Sequence, residues 1–212
     1  RAYTRRRYAG SAVRSLLRQR ADVDLDIIVV DDGSTDGTLE IVESLAREAP
    51  EIRPFRQPNK GVSAARNAGL SHLPPDAELV SFLDSDDVSP AGRFKADLAC
   101  FHADGSLDLT YSLICEIDLI DDETLEPAAG SASRIFRGVQ VAAGIYRRAL
   151  IQTLGGFDES IVQAEDTDFL FRLFERNPHC ALTETVAVYY RRHIDSLTAD
   201  RSEMRRQFIR AC

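Results

Sequence analysis

A short apolar run, Leu79 to Leu83, ends abruptly in Asp84-Ser85-Asp86-Asp87. The run reads as a buried strand, and the acids then stand at its carboxyl end. Two close carboxylates repel by about 1 kcal/mol in bulk water and about 4 kcal/mol at the effective dielectric of a partly covered site. Three are tolerable in open solvent, but in a cleft they require a cation. Oxygen ligands left partly open suit Mg²⁺ or Mn²⁺, which hold a few carboxylates together with substrate phosphates. The carboxyl end of a strand is also where open α/β sheets bind ligands. A competing reading is local: Asp86 or Asp87 caps a helix begun by Pro90.

The rest of the chain has the same grammar. Helical spacing runs from Tyr8 to Gln19, after a polar stretch from Arg1 to Arg7. Asp26 to Val30 is a β-branched run too apolar to alternate, so it is expected to be buried on both faces. It stops at Asp31-Asp32-Gly33-Ser34-Thr35-Asp36, which is turn chemistry leading to a helix that Pro50 ends. Ile52 to Phe55 reads as a strand, Gln57 to Gly61 as a loop and Val62 to Leu70 as a helix. This β–α–β–α–β order implies an α/β, Rossmann-like fold with a mixed, mostly parallel sheet flanked by helices.

The second half is less regular. A helix is expected from Pro90 to His102, a long strand within Leu107 to Ile120, and a loop over Asp121 to Ser133. Gly138 to Tyr146 reads as a strand, Arg147 to Leu154 and Glu165 to Arg176 as helices, and Val186 to Tyr190 as a strand. A polar helix closes the chain at 201–212. With 212 residues, one domain is expected.

The net charge of −8 argues against a nucleic-acid partner, because phosphate backbones need a basic face. No apolar stretch approaches the roughly 20 residues of a membrane span. Cys100, Cys115, Cys180 and Cys212 are scattered without metal-ligand spacing and read as reduced thiols. The expected location is cytoplasmic, with peripheral attachment at the inner membrane face allowed for.

Each candidate site residue has a plainer alternative. Asp31 and Asp32 could accept hydrogen bonds from a nucleobase N–H or a ribose hydroxyl, or simply shape a turn. Lys60 and Arg66 flank a helix start, a natural anion site, or lie on a surface. Glu165-Asp166 opens a helix, where acids favour the macrodipole. The functional alternative is a general base on a rigid element. Gly155-Gly156-Phe157-Asp158-Glu159 looks like a shaped loop for an acceptor pocket. His193 follows Arg191-Arg192 and could reach a metal or a diphosphate.

Together these pieces resemble the family 2 glycosyltransferases of the GT-A fold. The blocks match in order and spacing: Ile28 to Thr38, Asn59-Lys60-Gly61-Val62-Ser63-Ala64-Ala65-Arg66-Asn67-Ala68-Gly69, Phe82 to Asp87, and Gly155 to Glu159 leading to Glu165-Asp166. The resemblance implies that Asp32, with Asp31 beside it, meets the nucleotide base, and that Lys60 and Arg66 lie near the base or phosphates. It implies that Asp84 and Asp86 form the Asp-x-Asp metal and ribose motif with Asp87 alongside. Asp166 takes the catalytic-base position, Gly156, Phe157 and Glu165 border the acceptor, and the resemblance divides the chain into a nucleotide-binding half over 1–105 and an acceptor-binding half over 106–200. The stretch Tyr190 to Thr198, which includes His193, looks like the family's closing segment.

Two departures stand out. Family members begin with an apolar strand, placed inside the sheet between the strands ending at Asp32 and Asp84, that runs into a turn. Here Arg1-Ala2-Tyr3-Thr4 sits on that turn, and Tyr3 is positioned to border the base. A fragment of a longer chain is therefore expected. The Gln-x-x-Arg-Trp segment of processive members is also absent, since the chain has no Trp, which favours transfer of single sugars. The expected activity is inverting, Mg²⁺- or Mn²⁺-dependent transfer from a nucleotide-diphosphate sugar, with UDP favoured, to a saccharide or lipid-linked acceptor in cell-surface polysaccharide or glycoconjugate synthesis. The rivals are a non-catalytic nucleotide-sugar-binding module and, within enzymes, a sugar nucleotidylyltransferase, whose Gly-rich loop is not visible here.

Overall fold

The computed structural model describes residues 2–192, with side chains from Tyr8 onward. The Tyr3 side chain, His193 and the expected terminal helix lie outside the described residues. The chain opens with α1 (Ala2–Leu17), β1 (Ile27–Asp31), α2 (Thr38–Glu48) and β2 (Ile52–Arg56). β1 is built from Ile27-Ile28-Val29-Val30, stiff side chains that suit an extended backbone. It pairs in parallel with β2, Ile27 opposite Ile52 and Asp31 opposite Arg56. Val13 of α1 and Val42 of α2 bury against Ile27 and Ile52. Each such side chain contributes about 1.5–3 kcal/mol of apolar burial.

The second layer comprises α3 (Val62–Ser71), β3 (Leu79–Ser81), α4 (Arg93–Ala103), β4 (Leu109–Ile117), β5 (Ser133–Phe136), β6 (Gly144–Arg147), α5 (Arg148–Leu154), α6 (Glu165–Phe174) and β7 (Cys180–Arg191). A single 3-10 turn over Val141–Ala143 precedes β6. β4 is the spine. β6 pairs with Leu109 to Tyr111, β5 with Ile114 to Ile117, and β7 with the whole strand in parallel. A strand has two hydrogen-bonding edges, so β5 and β6 share one and β7 takes the other. Leu109, Tyr111, Tyr146, Phe169, Leu173 and Val188 form the main core beneath this sheet.

The α/β expectation holds, with a difference in the sheet. β3 does not extend β1–β2; it pairs antiparallel with β6, so the described strands fall into two sheets. In the larger sheet β3, β4 and β7 run one way and β5 and β6 the other. Direction is therefore mostly shared, while several adjacent pairings are antiparallel. β1 and β3 each keep one edge without a strand partner among the described residues.

Local boundaries also differ for physical reasons. α1 takes in the polar opening stretch. β5 lies where a loop was expected to end; it is short and its Ser133, Arg134 and Ile135 are exposed, so only its pairing with β4 makes it a strand. The expected strand from Gly138 starts only at Gly144, because Val141, Ala142 and Ala143 are buried in the 3-10 turn instead. A Cβ on Gly144 would stand 2.3 Å from the Tyr146 ring, which is why a glycine opens β6. α4 starts at Arg93, after Gly92 at φ 73, and not at Pro90.

Candidate active site

Arg66 is the point on which the site converges. It sits in the middle of α3, a helix whose small Ser63 and Ala64 let its backbone bury closely. Its Nη1 donates to Glu165 Oε1 at 3.0 Å and to Asp166 Oδ1 at 2.5 Å, and its Nη2 donates to Asp84 Oδ1 at 2.8 Å. The guanidinium lies 5.2 Å from the centroid of the Phe157 ring. Three elements distant in sequence thus meet at one planar cation, a geometry that the guanidinium fork serves and an ammonium would not. Burial alone would lower the basicity of Arg66, but the charges of Asp84, Asp166 and Glu165 outweigh it and raise it further.

Glu165 and Asp166 open α6 behind Ala164, which is held at φ 67. A left-handed backbone at a residue with a Cβ costs about 1–2 kcal/mol and is kept only where its surroundings enforce it. The turn aims both acids at Arg66. The second oxygen of Asp166 accepts the Val141 N–H at 3.0 Å. Burial pushes the carboxyls of Glu165 and Asp166 up from their ordinary range, with Arg66 opposing the shift in each.

The acidic turn after β3 is closed by the Asp87 N–H on the Asp84 carbonyl at 3.1 Å. Asp84 is half-exposed, whereas Asp87 is 1 % exposed. The Asp87 carboxylate accepts Arg191 N–H at 3.0 Å and Gln140 Nε2 at 3.3 Å. Burial, then the charges of Asp86 and Asp84, raise its pKa well above the usual carboxylate range. Asp87 is therefore an internal tether of the turn and not a surface offered to a sugar nucleotide, which corrects its sequence assignment. The capping alternative is corrected too: Gly92 occupies the N-cap of α4, with no side-chain cap bond.

The donor set can be tested against a divalent ion. Among the described residues no group of three or more His, Cys, Asp or Glu side chains is placed to hold a metal. Asp84 and Asp86 supply hard oxygen donors on one tight turn, and Asp84 uses only Oδ1 for Arg66. One or two carboxylates completed by substrate phosphates is the usual way that Mg²⁺ is held, so the pair fits such an ion.

The first strand ends in a different device. Asp32 accepts Gln57 Nε2, Lys60 N–H and Gly61 N–H, each at 2.8 Å, and so fastens the 57–61 loop over the end of β1. The two segments approach so closely that a Cβ on Gly33 would stand 2.9 Å from the Asn59 nitrogen. An open cleft beside them is lined by Gly33, Arg56, Gln57 and Pro58. Asp31, by contrast, is buried, accepting the Ser34 N–H at 3.2 Å and facing Arg56 Nε at 3.4 Å. It shapes the turn, as its plainer alternative held. Lys60 is exposed and meets Asp32 through its backbone.

The glycine-rich loop is likewise internal at its centre. Phe157 is 4 % exposed and stacks on Phe169 at 4.3 Å, so it supports Arg66 from below and does not border an acceptor. Asn67 holds the loop by accepting the Phe157 N–H at 2.8 Å and donating to the Phe157 carbonyl at 2.9 Å. Gly156, at φ 86, leaves room for this: a Cβ there would stand 2.5 Å from Asn67 Oδ1. Glu165 is engaged by Arg66. Sequence reasoning quoted Asn67 and Arg191 inside motifs without giving them tasks. Gln140 and Val141 fall in the segment expected as a strand from Gly138, and Tyr111 in the long strand within Leu107 to Ile120; neither segment carries a motif that gives them individual roles.

The layered α/β fold is similar to that of the GT-A glycosyltransferases. Solved structures share it over nearly the whole chain. Staphylococcus aureus TarS 1-349 in complex with UDP-GlcNAc superposes with a TM-score of 0.73 at 21% identity, covering 99% of this chain and 62% of that one. The Pyrobaculum calidifontis mannosyltransferase PcManGT, in complex with GDP-Man and Mn²⁺, gives 0.67 at 18% identity, over 96% and 59%. Residues 2–126 match the family described as Glycosyl transferase family 2, and the chain belongs to that family. The minor teichoic acid biosynthesis protein GgaA of Bacillus subtilis is 26% identical over 94% of this chain and 48% of its own length. The chondroitin synthase of Pasteurella multocida is 29% identical over 82% of this chain and 18% of its own. The chain thus spans half or less of these curated relatives.

Proposed function

We propose that the chain transfers a sugar, with inversion, from a nucleotide-diphosphate sugar to an acceptor hydroxyl in the building of a surface polysaccharide or glycoconjugate. The observation that carries this is the meeting of Asp84, Glu165 and Asp166 at Arg66. Uridine diphosphate is the favoured leaving group, since TarS has been crystallised with UDP and with UDP-GlcNAc. Asp32 and the cleft between Gly33 and Pro58 receive the base; Asp32 already accepts three hydrogen bonds, and a carboxylate has lone-pair room for one more.

Asp166 acts as general base. Its two hydrogen bonds leave lone pairs for the acceptor hydroxyl, and its raised pKa makes it a stronger proton acceptor than a surface aspartate. Arg66 keeps the carboxylate oriented and supplies positive charge beside the departing diphosphate. Asp84 and Asp86 would hold a Mg²⁺ or Mn²⁺ ion, which would supply positive charge to neutralise the leaving diphosphate. Bringing donor and acceptor into one cleft adds the orientation term. No helix among the described residues is long and apolar enough to cross a membrane.

A thermal-shift screen of nucleotide sugars with Mn²⁺, followed by donor hydrolysis and transfer assays, tests the proposal. Stabilisation by at least one nucleotide-diphosphate sugar and its turnover are expected. Binding without any turnover would favour a recognition module, and no binding at all would remove the reading.

A further inference from the structure

The acids of the proposed site stand on separate elements, so some part of the fold must fix their separation. Two adjacent residues touch both ends. Val141 N–H donates to Asp166 Oδ2 at 3.0 Å, and Gln140 Nε2 donates to Asp87 Oδ2 at 3.3 Å. Asp87 is the last residue of the acidic turn, and Arg191 Nε donates to the carbonyl of Asp86 at 3.1 Å in the same turn. The dipeptide is itself braced from behind. Gln140 N–H donates to Tyr111 Oη at 3.0 Å, and Tyr146 Oη donates to the Val141 carbonyl at 2.9 Å. Both tyrosines and Gln140 are buried.

We propose that Gln140 is a positioning residue, which with the Val141 backbone sets where the Asp84–Asp87 turn stands relative to Asp166. The proposal rests on the glycosyl-transfer reading of the site. In an inverting displacement, nucleophile and leaving group lie on opposite faces of the reacting carbon. The base and the groups that hold the diphosphate must then keep a fixed separation. Gln140 touches no reacting atom. It acts through Asp87, which carries Asp86 and Asp84 with it, while its neighbour holds the base. The path from base to acidic turn is two hydrogen bonds, the 140–141 peptide unit and the Gln140 side chain, and it lies at the head of the 3-10 turn.

The test is a hydrogen-bond exchange. Gln140→Leu removes the donor and is expected to lower kcat about 10- to 100-fold with donor KM within about threefold, the pattern of misplacement rather than lost binding. Gln140→Glu sets two carboxylates against each other and is expected to fall similarly. Adding Asp87→Asn to Gln140→Glu reverses donor and acceptor at unchanged net charge, and kcat is expected to return to within about fivefold of the parent. A Gln140→Leu kcat within about twofold of the parent, or a double variant no better than Gln140→Glu alone, would overturn the proposal. Hydrogen exchange without substrate decides the coupling even in a parent that transfers nothing, a result that would count against the glycosyl-transfer reading instead. Gln140→Leu is expected to speed amide exchange about tenfold or more both at Val141 and across Asp84 to Val88, and unchanged rates across Asp84 to Val88 would overturn the coupling.

Discussion

Replacing Arg66 by Met tests whether one cation holds the site together. At an effective dielectric of about 20, each close ion pair is worth about 4 kcal/mol in Coulomb terms. Arg66 makes three such pairs, but its own burial and the mutual repulsion of Asp84, Glu165 and Asp166 oppose them. The Asp84 side chain is 38% exposed, so its share is screened. Breaking a buried pair by removing one partner typically costs about 3–5 kcal/mol, and that is the expected loss for Arg66→Met at pH 7.5.

The pH dependence follows with a definite sign. Glu165 and Asp166 already have folded pKa values above the unfolded ones through burial, and losing Arg66 raises them further. A raised acid favours the folded state at low pH and loses that contribution as pH rises through the folded value. The gap between variant and parent should therefore narrow on acidification, by up to about 2.7 kcal/mol per proton taken up over two pH units. Urea unfolding at pH 7.5 and pH 5.5 measures both numbers. A loss below about 1 kcal/mol at pH 7.5, or a gap that widens at pH 5.5, would refute the reasoning.

Asp166→Asn should bind UDP with Mn²⁺ as the parent does while transfer falls by about 100-fold or more, and near-normal turnover in a coupled assay would remove it as the base. In the body of the fold, Arg93 and Asp97 form a fully buried pair at 3.5 Å, with Arg93 Nη2 also donating to the Gly144 carbonyl at 3.1 Å. Burial lowers the arginine and raises the aspartate. Arg93→Met alone should cost about 3–5 kcal/mol, and Arg93→Met with Asp97→Leu clearly less, because the second change removes the stranded charge; denaturation midpoints of the two variants decide it.

Residue types at short spacing made the acidic turn, the Arg66 helix and the start of α6 legible in the sequence. They did not say which acids face outward. Asp84 and Asp87 look alike in the chain, yet Asp87 is claimed by Arg191, 104 positions away, and by Gln140, 53 positions away. Phe157 stands in a loop with an acceptor-like shape, but its stacking on Phe169 decides its role. β5 was missed because a short exposed segment becomes a strand only when β4 offers it an edge. In each case a long-range partner settles what local composition leaves open.

Charge balance at the site leads to one more prediction. Asp84, Glu165 and Asp166 meet the guanidinium of Arg66, and Asp86 adds a fourth carboxylate in the turn whose backbone Arg191 engages, an excess of two negative charges when all are ionised. The raised pKa values of Glu165 and Asp166 reduce this excess without reversing its sign. On the proposed reading, a bare nucleoside diphosphate would bring further negative charge into the same cleft, and a like-charge contact at partial burial costs about 4 kcal/mol. On the same reading, a divalent ion held by Asp84 and Asp86 would cancel the diphosphate charge. Since 1.4 kcal/mol is tenfold in affinity, even one third of that repulsion separates the two states by about tenfold. Isothermal titration of UDP in Mn²⁺ and in EDTA should therefore differ by about tenfold or more, with Asp86→Ala removing the difference. Equal affinity in the two buffers would mean that the acids do not face the diphosphate, and that Arg66 alone meets it.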